Sequence, residues 1–187
     1  MGFSVAKGGK AFHFADVNDA IIAFLEKVVR APAILAFSCV AGLGAVDIAA
    51  RRPDLASRLV LIQTPSWDEE VKWKKSRDPK KIIAKPFVGQ FVMRSLKKSR
   101  APMWFDLALS DKADKPAFCA CAAETLAHGA GWELATAFQL YLRDQRPPIP
   151  KLRQPILAIW GKADRSHPAT PPALRRRARR TCQLHPI

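Results

Sequence analysis

The sequence contains no apolar run that approaches the roughly 18 residues needed to cross a bilayer, and we therefore expect no membrane span. Its first ten residues, MGFSVAKGGK, lack the apolar stretch of a signal peptide, which predicts a cytoplasmic protein. The four cysteines form neither a zinc-binding pattern nor a CxxC redox motif, because a single residue separates Cys119 from Cys121. We expect reduced thiols, no metal and no other cofactor.

Acidic residues are also scarce, since 16 Asp and Glu face 31 Lys and Arg, which gives a net charge of +15. Such a surplus is typical of proteins that bind nucleic acid or anionic membranes, and a basic binding module without catalysis is one interpretation. The charge is concentrated in two blocks, one between residues 68 and 100 and one of five arginines at 175–180. Neither a helix-turn-helix nor an aromatic-studded basic sheet accompanies them. We therefore favour a solvated helical face with a basic tail over a nucleic-acid partner.

The first half of the chain predicts a βαβ unit. An amphipathic helix begins at Asp16 and ends before Pro32. Residues 34–37 are apolar throughout, as in a parallel strand that is buried on both faces. A helix of small residues over 42–52 and a second strand over 57–63 follow. Strand, helix and strand within about 30 residues imply parallel strands joined by a right-handed crossover.

The pattern changes between Trp67 and Arg146 to basic, helical segments without a buried strand. Residues 147–150 form a stiff proline linker, and residues 155–160 restore a buried strand. We divide the chain into an N-terminal part of an α/β core (1–65), a helical insertion (66–146), a C-terminal part of the core (147–170) and a basic tail (171–187). The tail shows no strand or helix periodicity, and we expect it to be disordered.

Three stretches resemble the α/β-hydrolase family: LAFSCVAG at 35–42, ARRPDLASRLVLIQTP at 50–65 and QPILAIWGKAD at 154–164. The resemblance implies an incomplete, mainly parallel α/β-hydrolase sheet with an inserted helical cap. It also implies hydrolysis of a small-molecule ester, thioester or other acyl substrate by a nucleophile, a histidine and an acid.

The nucleophile of that family lies on a strand-to-helix turn of the pattern G-x-S-x-G, and here Ser38 and Cys39 compete for the position. With Ser38 as nucleophile, the β-branched Val40 would occupy a position that needs a small residue, whereas with Cys39 that position is Ala41. Pro53 follows Cys39 by fourteen positions, as in members that this chain resembles. We favour Cys39 and keep Ser38 as the alternative.

A thiolate at Cys39 would be stabilised by the dipole of the following helix. The N–H of Val40 would supply half of an oxyanion hole. The competing interpretation is that Cys39 is a small buried side chain without a chemical role.

The resemblance assigns the acid of the triad to Asp164, with Asp68 as the weaker alternative. An ordinary polar turn is the other interpretation of Asp164. The base has no clear counterpart, because the family's histidine lies in a Gly-His loop beyond a last strand. His185 follows Asp164 by 21 residues in Leu-His-Pro and is only a weak candidate. The remaining histidines match no motif of the family: His13, His128 and His167.

We interpret the chain as a family member truncated at both ends. The strands and the oxyanion loop that normally precede the nucleophile strand have no counterpart, and the chain departs from the family after Thr170. A frameshift or premature stop in a GC-rich gene would produce the arginine-rich end, and a natural basic tail is the alternative. Without a base and an oxyanion loop, we expect catalysis to be impaired. The sequence indicates no oligomeric state.

Overall fold

The structure is a computed structural model that describes residues 13–111, 113–136, 139, 152–161, 163–166 and 182–186. Of residues 97–98, 132–133 and 182–186 it describes the backbone alone. The first helix, α1 (Phe14–Phe24), continues as a five-residue π-helix, Leu25–Val29. Arg30 then adopts a left-handed conformation with φ 55°, and its N–H donates to the Leu25 carbonyl. Such a left-handed residue satisfies a free carbonyl and ends a helix, and Pro32 follows two positions later.

The predicted βαβ unit is present as β1 (Ala33–Ser38), α2 (Ala41–Arg51) and β2 (Ala56–Ile62). β3 (Ile156–Trp160) pairs in parallel with β2, which itself pairs in parallel with β1. The expected adjacency of these three strands is therefore confirmed.

A fourth strand, β4 (Cys182–Pro186), pairs in parallel with β3 and gives the sheet the order β1-β2-β3-β4. The expectation of a tail without a strand is wrong for these residues. The hydrophobic pattern could not indicate β4, because strand pairing satisfies the backbone N–H and C=O groups along an edge whatever side chains the strand carries. Residues 167–181 of the expected tail lie outside the described residues.

The expectation that β1 is buried on both faces is also wrong. Leu35 is 3% exposed and packs in the core, whereas its neighbour Ile34 is 55% exposed. β1 is the first strand of the sheet, and α2 packs on one face of β1 and β2. The core lies on that face and comprises the following buried residues: Ile22, Leu25, Leu35, Ala45, Ile48, Ala49, Leu55, Ala56 and Leu59.

α1 and α2 are joined by a polar contact at their centre. Asn18 is fully buried, and its Nδ2 donates to Oδ2 of Asp47 over 2.8 Å. Arg51 bonds both Asp47 and the exposed Asp19.

A second group of charges lies at the end of α2, where Arg52 bonds Glu26 and Asp54. The hydrogen bond from Arg52 lowers the pKa of the Asp54 carboxyl. These charged groups are solvated, so their ion pairs contribute little to the stability of the fold.

Between β2 and β3, the described residues contain the helices α3 (Trp67–Arg77), α4 (Val88–Ala108), α5 (Lys115–Ala127) and α6 (Ala130–Thr136). The predicted helical insertion is confirmed for this part, while the proline linker at 147–150 lies outside the described residues. α4 packs against α5 and α6. Arg77 lies 5.5 Å from the ring centroids of both Trp73 and Trp104, a cation–π arrangement.

The described residues divide into two compact units. The sheet unit holds residues 14–70, 152–161 and 182–186, and the helical unit holds 71–111, 113–136, 139 and 163–166 with His13. Across the described part of the chain, every helix is too short or too polar to cross a membrane.

Candidate functional site

The junction between β1 and α2 turns through a single left-handed residue. β1 ends at Ser38, Cys39 has φ 54°, and Val40 returns to helical values (φ −57°, ψ −28°) ahead of α2. The N–H of Cys39 donates to the Ile62 carbonyl over 2.8 Å, while its carbonyl accepts from the N–H of Gly42 over 3.0 Å. Cys39 thus belongs to the sheet through its N–H and to the helix through its carbonyl.

Such a conformation is strained for any residue other than glycine and is concentrated at functional sites. The Cys39 side chain is a half-buried thiol. The residue that the turn holds in this conformation is Cys39, whereas Ser38 is the last residue of the strand.

The first turn of α2 packs tightly against the segment that follows β2. A Cβ at Gly42 would lie 2.0 Å from Oγ1 of Thr64, so only glycine fits without a shift. Thr64 itself is buried, at 8% exposure. This close approach fixes the start of α2 beside the carboxyl end of β2.

Gln63, at the end of β2, is a site residue that we did not select from the sequence. It too is left-handed, with φ 50°, and its N–H donates to the Ile159 carbonyl over 2.9 Å. Its Oε1 accepts from the N–H of Gly161 over 2.7 Å, which links the ends of β2 and β3. A polar residue between an apolar strand and Thr64-Pro65 was the available signal.

Solved structures with the same arrangement of strands and helices match most of this chain. An ancestral haloalkane dehalogenase, AncHLD2, matches 97% of the chain and 69% of its own length at 17% identity and a TM-score of 0.61. The M1 loop variant of haloalkane dehalogenase DbeA from Bradyrhizobium elkanii matches 97% of the chain and 68% of its own length at 18% identity and a TM-score of 0.60. A mutant epoxide hydrolase from Bacillus megaterium matches 98% and 71% at 14% identity and a TM-score of 0.65.

The chain has an α/β-hydrolase fold. At identities of 14% to 18% the matches establish the fold alone. The chain carries a partial version of it, since it spans 68% to 71% of the length of these three structures. No protein-family model and no curated protein matches the sequence.

Within this hydrolase fold, His185, the weak candidate base, lies in the same row of paired residues as Ser38, but three strands away from it. The parallel register pairs Ser38 with Ile62, Ile62 with Ile159, and Ile159 with His185. Three strand spacings place the His185 backbone about 14 Å from that of Ser38. The strand that carries His185 is therefore separated from the strand that ends at the turn by two other strands.

The two candidate acids belong to different units. Asp164 lies in the helical unit, where its Oδ1 accepts from both the N–H and the Oγ of Ser166, each over 2.6 Å. The hydrogen bonds to Ser166 form a local polar turn of the kind that aspartate favours. Asp68 is exposed in the first turn of α3 and belongs to the sheet unit.

The remaining histidines lie away from the β1–α2 turn in the chain. His128 ends α5, its Nδ1 lies 2.8 Å from the Glu124 carbonyl, and it lines a cavity of about 320 Å³ with Arg94 and Gly129. His13 is exposed, and His167 lies outside the described residues. No cluster of three or more metal-ligating side chains occurs among the residues that the structure describes.

Proposed function

We propose that Cys39 occupies the nucleophile position of a site for acyl transfer to water. The observation that carries the proposal is the left-handed conformation of Cys39 between a parallel strand and a helix. A sharp, strained strand-to-helix turn presents the nucleophile of α/β-hydrolases above the carboxyl edge of the sheet. Ser38, as the last strand residue, lacks this conformation and remains the alternative.

The chemistry follows from a thiolate at the start of α2. The Sγ anion would add to an acyl carbonyl carbon, the carbonyl oxygen would take the negative charge, and collapse would expel the alcohol and leave a thioester. The partial positive charge at the N-terminus of α2 would favour the thiolate, and the N–H of Val40 would donate a hydrogen bond to the oxyanion. Water would then hydrolyse the thioester to release the acid and restore the thiol.

The second half of this cycle is the step that we expect to fail in this chain. Deacylation needs a base that removes a proton from water, and His185, the weak candidate, lies in Leu-His-Pro where the family has a Gly-His loop. In intact relatives, a histidine oriented by the acid at the Asp164 position would supply the base. We therefore propose acyl hydrolysis for such relatives and impaired turnover for this chain.

The names of the structural neighbours support a small-molecule substrate. They include an epoxide hydrolase and several haloalkane dehalogenases, whose substrates are small organic molecules with an electrophilic carbon. The proposal for this chain is a carbonyl carbon, in an ester or a thioester.

Mixing the protein with p-nitrophenyl acetate tests both halves of the proposal. We expect at most one equivalent of p-nitrophenolate per chain, negligible steady turnover, and an acetyl group that peptide mass spectrometry places on Cys39. The C39A variant should lose this acetylation and S38A should retain it. Acetylation at Ser38, or equal labelling of Cys119 and Cys121, would remove Cys39 from the nucleophile position. Steady hydrolysis that depends on Cys39 would instead show that a base is present.

A further inference from the structure

The segment that leads into α4 contains an unusual turn. Phe87 has φ 62° and ψ −50°, and the N–H of Val88 donates to the Pro86 carbonyl over 2.7 Å. This is a three-residue γ-turn with positive φ, a form that is rare and strained for a residue with a side chain. Lys81, six residues earlier, is also left-handed, with φ 52°. A strained backbone persists where the surrounding structure maintains it.

Four apolar side chains of this segment are exposed to solvent, and we name them the aromatic patch: Ile82 (39% exposed), Phe87 (79%), Val88 (48%) and Phe91 (71%). Phe91 donates its N–H to the Phe87 carbonyl, so the two phenylalanines are one helical turn apart. Phe87 directly precedes α4, and Phe91 lies in the first turn of this helix. Because both phenylalanines are more than two-thirds exposed, each contributes little burial energy to the fold, and stability gives little reason for an aromatic residue there.

The underside of the aromatic patch is fixed by buried polar groups. The Asp78 carboxylate, 9% exposed, accepts from the N–H groups of Ile82 and Ala84 over 2.7 Å and 2.9 Å. The Gln139 amide, also 9% exposed, donates to the carbonyls of Ile83 and Lys85 over 3.0 Å each.

The first turn of α4 packs directly on this loop. A Cβ at Gly89 would lie 2.0 Å from the Ile83 carbonyl oxygen. Gln90, which is buried, bonds the Gln139 side chain and so joins α4 to the same frame. The exposed rings are therefore held by a rigid frame, and a surface that is ordered before binding loses little entropy on binding.

The exposed charged residues that neighbour the aromatic patch in the chain are cationic. Residues 79–100 contain seven Lys or Arg and no acid. Lys80, Lys81 and Lys85 are exposed within the same loop as Ile82 and Phe87, and Arg94 is exposed one turn beyond Phe91. A rigid apolar group surrounded by cations is complementary to an anionic surface that has an apolar layer beneath it.

We propose that the aromatic patch docks this chain on an anionic lipid surface. The phenylalanines would enter the boundary between headgroups and acyl chains, while the three lysines contact the headgroups. The exposed aliphatic side chains Ile82 and Val88 favour lipid over nucleic acid, because base stacking uses aromatic rings alone. This docking function is independent of acyl transfer at Cys39, and either can fail without the other.

Vesicle co-sedimentation of the full chain at physiological salt tests the proposal. We expect binding to phosphatidylcholine vesicles that contain phosphatidylserine and little binding to phosphatidylcholine alone. F87A/F91A should weaken binding at least about tenfold, because two inserted rings are lost. The triple variant K80Q/K81Q/K85Q should weaken it by about tenfold or more, because each lysine near an anionic surface contributes.

Two matched controls separate the aromatic patch from overall charge and hydrophobicity. K72Q/K74Q/K75Q removes the same three charges from α3, and F24A removes a phenylalanine that is 54% exposed in α1. Both should change binding less than about threefold, since neither alters the docking surface. The proposal is overturned if the α3 variant weakens binding as much as the loop variant, or if F87A/F91A binds vesicles like the parent. It is also overturned if the chain binds duplex DNA at the same salt with an affinity that depends on the aromatic patch while vesicles stay unbound.

Discussion

At the scale of single residues, β1 and β2 both end in a left-handed residue that is not glycine. Cys39 and Gln63 have φ 54° and 50°, and each N–H bonds a carbonyl of the next strand of the sheet. The hydrogen bonds of the sheet therefore maintain both conformations. Because a left-handed conformation disfavours β-branched side chains most, substitution can distinguish Cys39 from its strand neighbour Ser38 without any assay of activity.

Cys39→Val should destabilise the chain by about 1–2 kcal/mol, because the branched side chain must take a left-handed backbone. Ser38→Val is the matched control, and it should be nearly neutral, since an exposed strand end accepts valine. Cys39→Gly should be as stable as the parent. Urea unfolding monitored by circular dichroism measures all three. Equal losses for the two valine variants would contradict the assignment of the strained position to Cys39.

Gly42→Ala should destabilise by about 1–3 kcal/mol, the usual cost of forcing an atom into a packed site. The new Cβ would lie 2.0 Å from Oγ1 and 2.8 Å from Cβ of Thr64. Adding Thr64→Ala should restore part of the loss, because it removes the nearest atom.

Gly131→Ala is the comparison for this substitution, since the nearest atom to its Cβ would be Cα of Arg94 at 3.3 Å. Its loss should be clearly smaller than that of Gly42→Ala. Strictly additive losses in the Gly42→Ala, Thr64→Ala cycle would show that the two positions do not touch.

At the scale of elements, the contact between α1 and α2 depends on a buried amide. Asn18→Asp would place a second carboxylate beside Asp47 in a fully buried position. We expect a loss of about 2–4 kcal/mol near neutral pH, from desolvation and repulsion. Burial raises the pKa of the new carboxyl above its unfolded value of about 3.9. The loss should therefore be smallest below that pH and grow as the pH rises.

Thermal unfolding of Asn18→Asp at several pH values measures this dependence. The control is Asp19→Asn, which removes an exposed partner of Arg51 and should cost under about 1 kcal/mol at every pH. A pH-independent loss for Asn18→Asp would mean that the substitution acts through packing alone.

The sequence predicted those strands and helices whose side chains form a recognisable apolar or small-residue pattern. The strand patterns at 34–37, 57–63 and 155–160 and the small residues of α2 identified three adjacent strands and a crossover helix, and the structure contains them. β4 escaped prediction because its residues, CQLHP, contribute backbone pairing and no apolar pattern. The exposure of one face of β1 was not predicted. An apolar run shows which side chains a strand can bury, but it cannot show whether another element covers them.

The candidate site was predictable in part for the same reason. The small residues around Cys39 and the glycine at 42 indicated a tight turn, whereas the sequence alone left Ser38 and Cys39 in competition. At Gln63 the sequence showed only a polar residue after an apolar strand, because its positive φ is maintained by hydrogen bonds to Ile159 and Gly161, which are distant in the chain. The local residue pattern thus predicts the strands, the helix and the turn between them, whereas contacts between distant residues determine which backbone positions are strained.

At the scale of the whole molecule, the surplus of positive charge raises the question whether charge alone makes this a nucleic-acid-binding protein. A net charge of +15 attracts any polyanion at low salt, because bound phosphates release condensed counterions. Sequence recognition needs more than this attraction, since it requires side chains that contact base edges.

Duplex DNA should therefore bind this chain weakly and lose affinity steeply with salt, so that binding vanishes near physiological ionic strength. Fluorescence anisotropy over a salt series measures the slope. K72Q/K74Q/K75Q and K80Q/K81Q/K85Q should weaken DNA binding at low salt by the same factor, because each removes three charges. In the vesicle assay only K80Q/K81Q/K85Q should weaken binding strongly. The two assays together therefore distinguish an effect of net charge from an effect of the docking surface. Sub-micromolar DNA binding that survives physiological salt would instead make nucleic-acid binding the function of the chain.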